Sequence, residues 1–176
     1  MMEKSSKPMR LRKDAPKAVA VVGPSNSGKT ELICRLVSWF QTQGLEVAVL
    51  KHSHHANLGD TGKDTGRYRG SGARNVALAA PGLLQITRSL DADPPAEEVL
   101  AAWAPDADLI LVEGYKSSSL PKIALAGAKL EKVVTDYARV IALVSDEPCE
   151  SRLPVFSPNQ VDELGRFLRE FLSQGN

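Results

Sequence analysis

Eight consecutive residues, Gly23-Pro24-Ser25-Asn26-Ser27-Gly28-Lys29-Thr30, match the pattern G-x-x-x-x-G-K-[ST] of a phosphate-binding loop. A bound nucleoside triphosphate needs a concave array of backbone N–H groups, a cation beside its β and γ phosphates and a hydroxyl on Mg2+. Gly23 and Gly28 let the backbone wrap the phosphates, Lys29 is the cation and Thr30 is the hydroxyl. A helix beginning at this point adds its unpaired N–H groups and the positive end of its dipole. The candidate nucleotide-binding set is Gly23, Ser25, Asn26, Ser27, Gly28, Lys29, Thr30 and Glu31, with Lys29 also a candidate catalytic group.

Phosphoryl chemistry on such a loop calls for a second acid that holds Mg2+ from the end of a buried strand. Glu113 closes the apolar run Leu109-Ile110-Leu111-Val112, at the carboxyl edge where ligands of α/β sheets bind. Asp108 opens the same run and is expected at the opposite edge, so Thr30 and Glu113 form the candidate metal pair. Lys51-His52-Ser53-His54-His55 holds every histidine of the chain and leaves a second strand at the carboxyl edge. His52, His54 and His55 are compatible with metal ligation, with a phosphate-facing or substrate-facing loop, or with an exposed loop of no chemical role. Lys63, Asp64 and Arg67 follow. Asp64 is placed to orient water or face a metal, and equally to cap a helix, while Lys63, Arg67 and Arg69 are candidate phosphate partners. The N-K-x-D signature that reads guanine in many GTPases is absent, and Asp146 stands only roughly where such a residue would be.

The elements that must position these residues are legible in the periodicity. Ala18 to Val22 reads as a buried strand, and Leu32, Ile33, Leu36, Val37 and Phe40 recur at helical spacing over Leu32 to Gln43. Gly44 stops that helix and Glu46 to Lys51 reads as a strand, giving a βαβ opening with parallel pairing. A polar loop spans 52–66, and a short helix with Asp64 as its N-cap runs through Arg69. Val76–Ala80 and Leu83–Thr87 flank Pro81-Gly82 as a hairpin, and Pro94 to Trp103 reads as a helix. Further strands are expected at Leu109–Val112, Lys122–Leu125, Val140–Val144 and Leu153–Phe156, with a closing helix over Val161–Leu172. The expected class is α/β: a three-layer P-loop NTPase fold with a largely parallel sheet and an added β-hairpin.

The chain has 176 residues, 43% of them hydrophobic and 24% charged, which suits one domain with a real core. A net charge of +1 argues against a nucleic-acid surface, and no run of 18 apolar residues exists to span a membrane. Residues 1–17 nevertheless carry six Lys/Arg against two acids, so 1–16 reads as a disordered basic leader and 17–176 as the nucleotide-binding domain. Cys34 and Cys149 are far apart in sequence, with Cys34 expected in the core of the first helix. This usage fits a reducing cytoplasm.

Four blocks in order, G-P-S-N-S-G-K-T, V-L-K-H-S-H-H, T-G-K-D-T-G-R-Y-R-G-S-G-A and L-I-L-V-E-G-Y-K, resemble the molybdopterin-guanine dinucleotide biosynthesis protein B (MobB) family over about residues 17–172. The resemblance implies a homodimeric protein that binds GTP with Mg2+ and hydrolyses it weakly. It further implies a role assisting the MobA guanylyltransferase, which attaches GMP to molybdopterin. By position, Gly23, Ser27, Gly28, Lys29 and Thr30 match the family's phosphate loop, Glu113 its strand-end acid, and His52, His54, His55 and Asp64 its loop motifs. The chain departs from the pattern in its basic leader and at Pro24-Ser25-Asn26, where Pro24 lacks an N–H and Asn26 stands in place of glycine. Two other readings use the same residues: a small-molecule kinase or ATP-dependent ligase, and a metal-delivery GTPase using the histidine loop.

Overall fold

The computed structural model describes residues 17–54, 58–103, 107–125 and 136–174, so the basic leader and His55 lie outside the described residues. The chain forms two compact units, one built from Met1–His52 with Ala96–Asn176 and the other from Ser53–Pro95.

The first unit is a parallel sheet with helices. Its strands are β1 (Lys17–Val22), β2 (Val47–Lys51), β5 (Leu109–Glu113), β6 (Lys122–Leu125), β7 (Val140–Val144) and β8 (Val155–Phe156). They lie in the order β2-β5-β1-β6-β7-β8, and every pairing is parallel. The expected pairing of β1 with β2 is corrected here: both run parallel in one sheet, but β5 lies between them. Burial supplies the reason. Leu109 to Val112 are each no more than 2% exposed, and so apolar a strand belongs where both faces and both edges are covered.

Side chains alternate across this sheet. Val19, Val21, Leu109, Leu111, Ile123 and Val144 pack on one face with Leu32, Ile33, Leu36 and Phe40 of α1 (Lys29–Thr42) and with Val161, Leu164 and Leu168 of α4 (Val161–Ser173). Ala20, Val22, Ile110, Val112, Ala124 and Leu143 form the opposite core, against which Leu100 of α3 (Ala96–Ala102) packs. The unit is therefore three layers deep, an α/β fold with the topology of P-loop NTPases. Cys34 is exposed rather than buried. At about 100° per residue it falls on the side of α1 opposite Leu32 and Leu36.

The second unit holds α2 (Asp64–Gly70) and an antiparallel hairpin of β3 (Asn75–Ala80) and β4 (Leu83–Arg88), turned at Pro81-Gly82 with Gly82 at φ 75°. The N-cap of α2 is Lys63, so Asp64 is its first helical residue and not the expected cap. Asp64 faces Arg67 one turn on, at 3.7 Å. An ion pair of half-buried Arg69 with buried Asp60 holds the loop before α2, and Gly66 lies so close to the Asp60 carbonyl that a Cβ would sit 2.2 Å from it. Among the described residues, no helix is long and apolar enough to cross a membrane.

Helices α1 and α4 touch where Gly165 meets Trp39: a Cβ on Gly165 would lie 2.4 Å from Cε3 and 2.6 Å from Cζ3 of the indole. A helical Gly→Ala change ordinarily stabilises by about 1 kcal/mol. Forcing a methyl into packed space costs about 1–3 kcal/mol. Against a ring at this distance the clash wins, so Gly165→Ala is expected to lower stability by about 1–2 kcal/mol. Urea denaturation measures it; an increase in stability would show that the indole yields freely.

Candidate functional site

The phosphate-loop sequence runs directly from the buried end of β1 into α1. Gly28 is the N-cap of that helix in the left-handed region, at φ 86°, and no side chain caps the helix. Its first-turn N–H groups therefore point out of the helix without intrahelical partners. Lys29 and Thr30 occupy that first turn, three residues earlier than the apolar periodicity indicated. Asn26 sits at φ 59°, which explains how the loop does without glycine there: asparagine is among the few residues that visit this region readily. Gly23 approaches its surroundings closely, since a Cβ would lie 3.0 Å from both the Leu125 carbonyl oxygen and Ser27 Oγ. Ser27 Oγ is buried and has no hydrogen-bond partner among the described residues. Ser25 and Glu31 are exposed.

Three strands deliver the facing residues. Glu113 ends β5 and is in register with Val21 on one side and Lys51 on the other. Thr30 Oγ1 donates to Glu113 Oε2 at 2.8 Å, and Lys51 Nζ pairs with Glu113 Oε1 at 3.0 Å. The Lys29 ammonium donates to the Pro24 carbonyl. Burial lowers the Lys29 pKa from its ordinary value. Glu113 opposes that shift, while the charges of Lys116 and Lys51 add to it. Charged groups from β2, β5 and the segment after β5 thus act on Lys29 at one edge, and the excess there is cationic. Asp108 lies at the opposite edge, where its Oδ2 accepts from the Glu46 N–H at 2.7 Å.

Behind Glu113 the chain is tightly packed. Gly114, at φ 97°, is closely packed: a Cβ would lie 3.2 Å from His52 Cβ and from the His52 carbonyl. The His52 ring stacks on Tyr115 with centroids 4.1 Å apart, and the His52 backbone N–H donates to the Glu113 carbonyl at 2.8 Å. Lys122, fully buried in β6, donates to the Ser118 and Leu120 carbonyls at 2.6 and 2.9 Å and anchors the same segment. Burial, reinforced by Arg139, lowers the Lys122 pKa, while Glu97 opposes it.

The structure thus brings together Lys29, Thr30, Glu113 and His52. His54, Lys63, Asp64 and Arg67 belong to the second unit, where each is exposed. Sequence reasoning passed over Lys51 and Lys116. The available signal for Lys51 was its place as the last residue of a strand ending at the phosphate-loop edge; for Lys116 it was proximity to the strand-end acid.

With this geometry in place, the comparison with known proteins is decisive. The family described as molybdopterin guanine dinucleotide synthesis protein B, MobB, matches residues 18–146. The chain belongs to the MobB family. It is similar to the molybdopterin-guanine dinucleotide biosynthesis adapter protein of Escherichia coli (strain K12), 33% identical over 164 residues that cover 86% of this chain and 91% of the relative. The adapter protein of Haemophilus influenzae is 28% identical over 160 residues, covering 88% of each chain. Among solved structures, the MobB protein homolog from Bacillus stearothermophilus superposes with a TM-score of 0.70 at 30% identity, covering 89% of this chain and 98% of that one. The MobB match takes in the phosphate loop, Lys51 and Glu113, so the edge described above lies inside the family's common region.

The left-handed conformation at Asn26 gives a direct test of the loop. A β-branched residue there would carry a cost of about 1–2 kcal/mol, whereas glycine carries none. Asn26→Val is expected to lower the thermal midpoint by several degrees and Asn26→Gly to leave it nearly unchanged, as read by scanning calorimetry.

Proposed function

We propose that this chain is a GTP-binding accessory protein of molybdenum cofactor biosynthesis. It acts in the cytoplasm as a homodimer and assists a MobA-type guanylyltransferase in attaching GMP to molybdopterin. Membership of the MobB family and the adapter names of its relatives support the pathway. The observation that carries the nucleotide reading is the contact between Thr30 and Glu113 at the start of α1, directly behind the phosphate loop.

The residues there fit Mg2+. A hydroxyl and a carboxylate are hard oxygen donors, and Mg2+ is typically held by one or two carboxylates together with phosphate oxygens and water. Thr30 and Glu113 would hold it, and when bound it neutralises charge developing on the β and γ phosphate oxygens. In the proposed reaction, water attacks the γ-phosphate slowly, the bond to the β–γ bridging oxygen breaks, and GDP and inorganic phosphate leave. Lys29 lies on the loop with its ammonium able to leave the Pro24 carbonyl for the β/γ oxygens, while the first-turn N–H groups of α1 and the Ser27 hydroxyl add donors. Asp64, on the strength of its motif alone, is the proposed water-orienting group, with Lys63, Arg67 and the histidines at 52, 54 and 55 as a phosphate or substrate loop.

The homodimer reading draws on the hairpin. Leu78, Leu83, Leu84 and Ile86 are between 51% and 75% exposed on a two-stranded sheet. Hairpins of this kind are marginal in water unless their apolar surface is covered. Two free thiols, Cys34 and Cys149, agree with a reducing compartment.

Lys29→Ala is expected to keep its fold and to lose roughly ten- to a hundredfold in triphosphate affinity, since a hydrogen bond to a charged group contributes about 1.5–3 kcal/mol. Isothermal calorimetry with GTP and ATP, with and without Mg2+, measures this together with the expected preference for GTP. Wild-type affinity in the mutant would remove the phosphate-loop reading. Equal binding of the two nucleotides would favour the kinase or ligase reading.

Glu113→Gln keeps the side chain's size and loses its charge. It should depress Mg2+-dependent hydrolysis while Mg2+-free nucleotide binding remains. Asp108→Asn, at the far edge, should leave hydrolysis unchanged; the reverse pattern in a phosphate-release assay would assign the acid wrongly.

A further inference from the structure

Glu113 has both carboxylate oxygens engaged. Oε2 accepts from Thr30 and Oε1 is held by the Lys51 ammonium. The two partners differ in kind. Thr30 is fixed by the first turn of α1, whereas the Lys51 side chain is 59% exposed and meets a carboxylate only 12% exposed. Lys51 cannot drift far at its root, because β2 pairs with β5 residue for residue and ends level with Glu113. Its ammonium is nevertheless on a long, solvated stem that can swing away at small cost. A monovalent cation is therefore tethered on the same carboxylate that the functional reading gives to a divalent one.

Two consequences follow from charge. A largely buried carboxylate beside a phosphate loop repels an entering triphosphate unless a cation screens it, and a tethered ammonium does so without any dissolved metal. A cation already seated on Oε1 also has to be displaced, or must share the carboxylate, when Mg2+ is taken up.

We propose that Lys51 is a built-in competitor of the divalent cation for Glu113, a positioning residue that sets the Mg2+ concentration at which the nucleotide-loaded site takes up metal. This deepens the functional reading and rests on its assignment of Thr30 and Glu113 to the metal. Lys51 screens Glu113 while the metal is absent and releases Oε1 as the metal arrives.

The test is metal binding to the full-length, GDP-loaded protein, followed by counting free Mn2+ by electron paramagnetic resonance and by competing Mg2+ against it. Lys51→Met keeps the stem and removes the charge, while Lys51→Arg keeps the charge. The expected result is a roughly two- to fivefold lower half-saturating Mn2+ concentration in Lys51→Met, the scale of an ion pair with one exposed partner. Lys51→Arg should stay within about twofold of wild type. Lys51→Met should also bind GDP more weakly in the presence of a chelator. Stoichiometric Mn2+ binding by wild type with an unchanged or higher midpoint in Lys51→Met would overturn the Lys51 proposal and leave the metal reading standing. Wild-type protein that binds no Mn2+ beyond Glu113→Gln would overturn both. Matching thermal midpoints for the variants confirm that the comparison is between folded proteins.

Discussion

The parallel pairing of β5 with β1 on one side and β2 on the other is the constraint from which the candidate site follows. It brings Val21, Lys51 and Glu113 level across three strands, one residue before β1 gives way to the phosphate-loop segment. A slip of one residue would turn the Glu113 side chain to the other face of the sheet. A slip of two would carry it about 6.6 Å along the strand. Either shift exceeds the tolerance of a 2.8 Å hydrogen bond to Thr30. Register here is held by burial: residues 109–112 have no polar atoms in their side chains and no exposed face on which another pairing would be acceptable.

That pairing also explains the electrostatics. Parallel strands end together, so charged residues that terminate them are gathered at one edge rather than dispersed. Glu113, Lys51 and Lys116 all act there on Lys29, and Lys51 pairs with Glu113. Part of the positive charge is compensated by the single glutamate and by the loop's own carbonyl at Pro24. The rest is charge suited to an anion. Packing behind the edge, with His52 on Tyr115 and buried Lys122 tying down two carbonyls, keeps the segment after Glu113 from relaxing away.

The second unit is organised by different forces. The ion pair of Arg69 and Asp60 and the contact at Gly66 shape its loop and short helix. The hairpin, by contrast, contributes Val76 as its buried apolar side chain and leaves leucines and isoleucine in water. Its sequence encodes the turn and the strands without burying their side chains in proportion.

How much was legible follows from where the information lies. Consecutive residues carry the phosphate loop, since its chemistry needs glycines, a lysine and a hydroxyl at adjacent positions. They likewise carry the strand that ends in Glu113, and the placement of Asp108 at the opposite edge, because chain direction in a parallel sheet determines which end of a strand meets ligand. The hairpin at Pro81-Gly82 and the helices were equally local. Tertiary structure alone decided that β5 separates β1 from β2, because a crossover helix does not specify which strand will become a neighbour. For the same reason it alone revealed Lys51 on Glu113 across that pairing. The left-handed turn at Asn26 belongs with these, since asparagine permits that conformation and only the path of the loop from β1 into α1 demands it.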